Sequence, residues 1–131
     1  TFIRLTMISS AIIVAYFTAW SIYSRSYFLS EIPADKITHI NYAFANIDSN
    51  GRIALGDPWA DVEKSFSGDS WDQPLRGNFN QLIQLKQKYP HIRTLISVGG
   101  WVYLYIFPSI RNFVSNEICF RLDQKNILIL H

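Results

Sequence analysis

Ser97-Val98-Gly99-Gly100-Trp101 is the densest constellation of suggestive residues in the 131-residue chain. Adjacent glycines let backbone come close to a ligand or a neighbouring strand, and a tryptophan just beyond offers a flat apolar face. A phosphate-binding loop would instead need G-x-G-x-x-G or G-x-x-x-x-G-K-[ST] running into a helix, and neither occurs. Among ten carboxylates the only D-x-E spacing is Asp61-Val62-Glu63. A general acid must reach the leaving oxygen of its substrate; this pair lies in a polar stretch far from the glycines and is expected to be a solvated helix start. His39, His91, His131 and the single Cys119 have no metal-ligand spacing, so no structural metal, disulfide framework or cofactor is expected.

The remaining chemistry is aromatic. Tyr16 to Trp20, Tyr42 to Phe44 and Trp101 each close an apolar segment. Rings suit a sugar because a pyranose has an apolar face of C–H groups that stacks on them, with hydroxyls left for hydrogen bonds at the edge. Core packing is the alternative for any one ring and the expectation for Phe17.

Positioning those rings requires strands. The apolar stretch Met7 to Phe17 reads either as the short core of a signal peptide or as a buried strand; β-branched and aromatic residues from Ile12 to Phe17 favour the strand. Ser30 to Pro33 is a helix-start signal, with one or two turns over Ala34 to Ile37. His39 to Ile47 alternates as a strand, with Ile40, Tyr42 and Phe44 on one face and Asn41, Ala43 and Ala45 on the other. Asp48-Ser49-Asn50-Gly51 stops it in a turn. Arg52 to Gly77 is a long loop in which Trp59 and Trp71 either pack back on the body or line a groove. Asn78 to Tyr89 is a helix with an apolar stripe of Phe79, Leu82, Ile83 and Leu85, Asn78 as N-cap and Pro90 beyond its end. Thr94 to Val98 is a third strand. This order predicts an α/β fold with three parallel strands side by side and right-handed crossovers, which would deliver the rings to the carboxyl-end rim where such folds bind ligands. After Trp101 the apolar run Val102 to Ile110 has no clean period, and Ile127 to Leu130 is a short apolar run.

Composition sets the outer bounds. With 49% hydrophobic, 15% aromatic and 17% charged residues the chain can hold one modest domain. A net charge of +2 with no basic stripe excludes tracking of nucleic-acid phosphates. No apolar run reaches the roughly 18 to 20 uncharged residues of a membrane-spanning helix.

Tyr16-Phe-Thr-Ala-Trp20, His39-Ile-Asn-Tyr-Ala-Phe44, Asp57-Pro-Trp-Ala-Asp61, Trp71-Asp-Gln-Pro74, Gly77-Asn-Phe-Asn-Gln-Leu-Ile-Gln-Leu-Lys86 and Leu95-Ile-Ser-Val-Gly-Gly-Trp101 occur in one order. Together they resemble the amino-terminal part of a glycoside hydrolase family 18 chitinase of the bacterial and fungal type, from about Val14 to Trp101. The resemblance implies the first three strands of an incomplete (β/α)8 TIM barrel. It divides the chain into a leader or extra segment at 1–13, a partial catalytic domain at 14–101 and a non-matching tail at 102–131. It implies chitin or chitooligosaccharide as partner, retaining hydrolysis assisted by the substrate's own acetamido group, and secretion.

Carried over by position, Phe44, Gly100 and Trp101 match residues lining the subsite of the scissile sugar, and Tyr16 matches a substrate-binding position. Tyr16 and Ser97 also match residues that hydrogen-bond the first aspartates of the family's D-x-x-D-x-D-x-E motif, whose glutamate is the acid. The motif is absent from these 131 residues, so no catalytic residue is assigned. The expectation is a chain inactive by itself, with an oligosaccharide-binding, lectin-like role as the alternative. Three strands without closure are expected to leave an open edge and an exposed apolar surface prone to self-association.

Overall fold

A computed structural model describes residues 11–99 and, as backbone, the strand segments 118–122 and 127–129. Strands β1 (Val14–Thr18), β2 (His39–Ile47), β3 (Ile53–Ala54) and β4 (Arg93–Val98) and helix α1 (Gly77–Lys88) carry most of the core. β1, β2 and β4 are parallel neighbours, with Tyr16 opposite Asn41 and Ala43 opposite Ser97. This is the predicted three-strand arrangement, an incomplete α/β barrel fragment.

Alternation along the strands produces two faces. Phe17, Ile40, Tyr42 and Ile96 turn towards the core, where they meet Leu82 and Leu85 of α1. Each such leucine stabilises by roughly 2 kcal/mol when removed from water. Phe79 meets the Tyr42 ring edge-on, with centroids 5.3 Å apart. The helix stripe is narrower than expected, because Ile83 stays 38% exposed. Nor is Asn78 an N-cap. The helix starts at Gly77 without a side-chain cap, and Asn78 is buried inside it.

The β2 alternation also departs from expectation. Its register against β4 shifts between Ala43 and Ala45, a bulge that leaves Phe44 unpaired; the Ala43–Phe44 peptide is cis. Ala45 therefore joins the core row of Ile40 and Tyr42, and Phe44 leaves it. The Asp48 turn forms a hairpin that periodicity does not disclose: Asp48 Oδ1 accepts the N–H groups of Asn50 and Arg52, both at 2.9 Å, and β3 pairs antiparallel with β2.

Between β1 and β2 the expected helical turns are short 3-10 segments at Leu29–Glu31 and Ala34–Lys36. Beyond residue 117, β5 (Ile118–Leu122) runs antiparallel to β4 and β6 (Ile127–Ile129) antiparallel to β5. The edge of β4 expected to be open is thus paired in the backbone by β5, and the short apolar run that starts at Ile127 supplies β6. In β1 the apolar residues Val14 and Tyr16 stay about half exposed, and Ile12, two residues before the strand, is 74% exposed. Among the described residues no helix is long and apolar enough to cross a membrane.

Candidate functional site

Parallel pairing points the carboxyl ends of β1, β2 and β4 in one direction, and the exposed rings gather there. Trp20, two residues beyond β1, stacks on Phe44 with centroids 6.0 Å apart and planes 28° from parallel. Freed from the core row by the bulge, Phe44 can meet it. Tyr23, from the turn after β1, stacks on Trp59, from the connection after β2, at 5.8 Å and 17°. Both rings are nearly half exposed. The Lys64 ammonium lies 4.9 Å from the Trp59 ring centre. Trp71, in the same connection, is 88% exposed and does not pack back on the body.

Beneath this rim lies a polar network. Asp61 is fully buried in a wide helical turn, Trp59–Glu63, so the expected solvated helix start is wrong for this residue. Its Oδ1 accepts the Tyr42 hydroxyl, while its Oδ2 accepts the N–H groups of Gly56 at 3.2 Å and Asp57 at 3.1 Å. Asn78 Nδ2 donates to the Tyr42 oxygen at 3.0 Å and to the Ala19 carbonyl at 3.4 Å. Segments after β1 and β2 are thereby tied to the start of α1. Tertiary contact alone buries Asp61, and only its place in Asp57-Pro-Trp-Ala-Asp61 could have flagged it.

Burial raises the Asp61 carboxyl above the usual carboxylate range, outweighing the opposing Tyr42, Asp57 and Gly56 hydrogen bonds. Burial, reinforced by Asp61, also raises the Tyr42 hydroxyl above its ordinary value. A carboxyl whose folded pKa exceeds its unfolded 3.8 contributes most below that value and loses the contribution as pH rises through the folded pKa. The expected outcome is a melting temperature that falls from about pH 4 towards neutrality through this group. Asp61→Asn flattens that slope while lowering the whole curve, because its amide faces two backbone donors; a pH series of thermal melts on both proteins checks it.

The other expected positions fall as follows. Tyr16 sits on the face opposite the core, beside Asn41 in the register. Ser97 is buried, and its Oγ donates to Asn41 Oδ1 at 2.8 Å. Gly99 has φ of 98°, and its N–H reaches the Ala45 carbonyl at 2.9 Å, closing β4 against the bulge. Gly100 and Trp101 lie outside the described residues. Phe17 is in the core as expected. Sequence reasoning did not anticipate the pairing of Tyr23 with Trp59 or the roles of Asp57 and Asp61. Among the described residues no group of three His, Cys, Asp or Glu could hold a metal ion.

Residues 12–117 match the family described as Glycosyl hydrolases family 18, a span that passes Trp101. Chitinase C of Streptomyces lividans is 48% identical over 108 residues, which is 73% of this chain but 17% of that protein. A chitinase from Bacillus thuringiensis superposes with a TM-score of 0.69 at 35% identity, covering 77% of this chain and 22% of that one. Catalytic domain 2 of the Ostrinia furnacalis Group II chitinase, solved as a mutant with a bound penta-N-acetyl chitooligosaccharide, superposes at 0.59 with 27% identity, covering 79% and 25%. The chain spans about a quarter or less of each protein it matches here.

Proposed function

The chain belongs to glycosyl hydrolase family 18, and on that premise we propose that these 131 residues form a chitooligosaccharide-binding wall of a chitinase-type cleft. The observation that carries the reading is the pair of ring stacks, Trp20 on Phe44 and Tyr23 on Trp59, gathered where three parallel strands end. The Ostrinia relative, crystallised with a chitooligosaccharide, supports the ligand class. An N-acetylated sugar offers C–H faces to such rings and amide and hydroxyl groups to a nearby cation such as Lys64.

Tyr16, Phe44, Gly100 and Trp101 are proposed to contact sugar in this wall, with Tyr16 and Ser97 orienting polar groups near the scissile bond. Hydrolysis of chitin is the family's reaction. The D-x-x-D-x-D-x-E motif that would supply the acid is absent from these residues, so the wall alone is proposed to bind without cutting. The exposed apolar residues of β1 make self-association of the isolated chain part of the same reading.

Titration with a chitooligosaccharide, followed by tryptophan fluorescence, tests binding. The emission is expected to change saturably, and Trp59→Ala is expected to weaken binding roughly fivefold to thirtyfold, the effect of removing one stacked ring worth 1 to 2 kcal/mol. No fluorescence change at millimolar ligand overturns the reading.

A further inference from the structure

The Asp57 carboxylate links the Tyr23 hydroxyl to the backbone beside Trp59, the two halves of the second ring stack. Its Oδ2 accepts the Tyr23 hydroxyl at 2.5 Å, and its Oδ1 accepts the Ala60 N–H at 3.1 Å, in the first turn of the segment that begins at Trp59. Its backbone is fixed as well: the Asp57 N–H donates to Asp61 Oδ2 at 3.1 Å, and the Asp61 N–H donates to the Asp57 carbonyl at 2.8 Å. Tyr23 and Trp59 come from different connections, 36 positions apart in the chain. Without a bond between those connections, each ring would sample its own rotamers and lose that freedom on binding.

We propose that Asp57 is a positioning residue for sugar recognition, one carboxylate clamping the Tyr23 and Trp59 rings into a single preorganised surface. The proposal rests on the reading that this rim binds chitooligosaccharide. The clamp supplies no proton and touches no sugar. It acts through the rings by sparing the ligand the ordering of two loops. The same contact holds the Tyr23 hydroxyl protonated, pushed up to about 12 chiefly by its hydrogen bond to Asp57, then by partial burial and the charges of Asp57 and Asp61. That shift gives a signature that general loss of stability would not reproduce in the folded protein.

The experiment uses the 131-residue chain and the same fluorescence titration, with four variants. Asp57→Ala is expected to weaken binding roughly threefold to tenfold, and Tyr23→Phe, which keeps the ring and the Ala60 cap, roughly twofold to threefold. Asp57→Ala combined with Trp59→Ala is expected to bind no more weakly than Trp59→Ala alone, because the clamp has nothing left to hold. Tyrosinate absorbance at about pH 11 should show one more ionised tyrosine in Asp57→Ala than in the parent, as Tyr23 falls towards its ordinary value. Parental binding by Asp57→Ala and Tyr23→Phe, alongside a weakened Trp59→Ala, overturns the clamp and leaves the rim standing. Parental binding by Trp59→Ala overturns the rim and the clamp's role in recognition together, while the tyrosinate count still decides whether Asp57 holds Tyr23. An unchanged tyrosinate count in folded Asp57→Ala overturns the clamp by itself.

Discussion

A chitooligosaccharide incubated with the 131-residue chain is expected to be recovered uncut. Cleaving a glycosidic bond requires a proton for the leaving oxygen, and losing the general acid typically lowers the rate by about 10² to 10⁴. The aspartates of the connection between β2 and α1 are already engaged. Asp61 is buried against Tyr42 and two backbone amides, and Asp57 holds Tyr23 and Ala60. Asp69 accepts the Phe66 N–H and the Asn80 amide, and Asp72 accepts the Ser70 hydroxyl. Each of these bonds ties a carboxylate to a hydroxyl, an amide or the backbone, the contacts of loop-building groups. A shortfall at the acid is compounded by the absent aspartates, since acetamido assistance needs a group to orient and stabilise it. Chromatography of the oligosaccharide after prolonged incubation checks the expectation. Shorter products above a protein-free control, abolished by heat, would show that an acid exists where the sequence motif does not supply one.

Gly77→Ala is expected to be strongly destabilising. Gly77 opens α1 at φ of 69°, in the left-handed region that penalises a side chain. A Cβ there would lie 2.5 Å from the Asp61 carbonyl and the Val62 nitrogen, both backbone atoms that cannot swing away. The neighbouring bonds, Gly77 N–H to the Lys64 carbonyl at 2.8 Å and Arg76 N–H to the Val62 carbonyl at 3.2 Å, pin the two segments at that separation. Backbone strain and overpacking together are expected to cost about 3 kcal/mol or more, a large part of an ordinary domain's stability. The melting temperature should fall by roughly 10 °C or more. Gly68 is the control: its φ is 92°, but nothing lies within 4 Å of a Cβ there. Gly68→Ala pays the backbone penalty alone, and equal losses at the two positions would show that the Asp61–Val62 contact is not the cause.

What the sequence disclosed follows from which forces act locally. β2 and β4 are legible because their apolar residues recur with the period of a strand, and α1 because Phe79, Leu82 and Leu85 recur with that of a helix. Periodicity fails at Phe44, since a bulge inserts one residue without changing the composition around it. It fails again at Asp61, which reads as a solvated helix start, and at Asn78, which reads as an N-cap; both are buried, where the Tyr42 hydroxyl bonds each of them. The site was legible as a direction, rings at the ends of parallel strands, and not as a set of contacts. Tyr23 meets Trp59 through loops whose course no local rule dictates. Trp71 shows the same limit from the other side, its exposure decided by what the loop does not reach.

The direction of β5 gives the sheet a polarity that its neighbours do not share. In a barrel of parallel strands every carboxyl end arrives at the same mouth, which is why reactive groups from different strands can converge. β5 pairs Ile118 with Val98 and Arg121 with Leu95, so it begins at the mouth and leaves it. At roughly 3.3 Å per residue, its last residue, Leu122, sits about 13 Å below its first. The strand ends at the floor of the sheet, at the opposite end from Trp20 and Phe44, and the antiparallel β6 turns back from there towards the mouth.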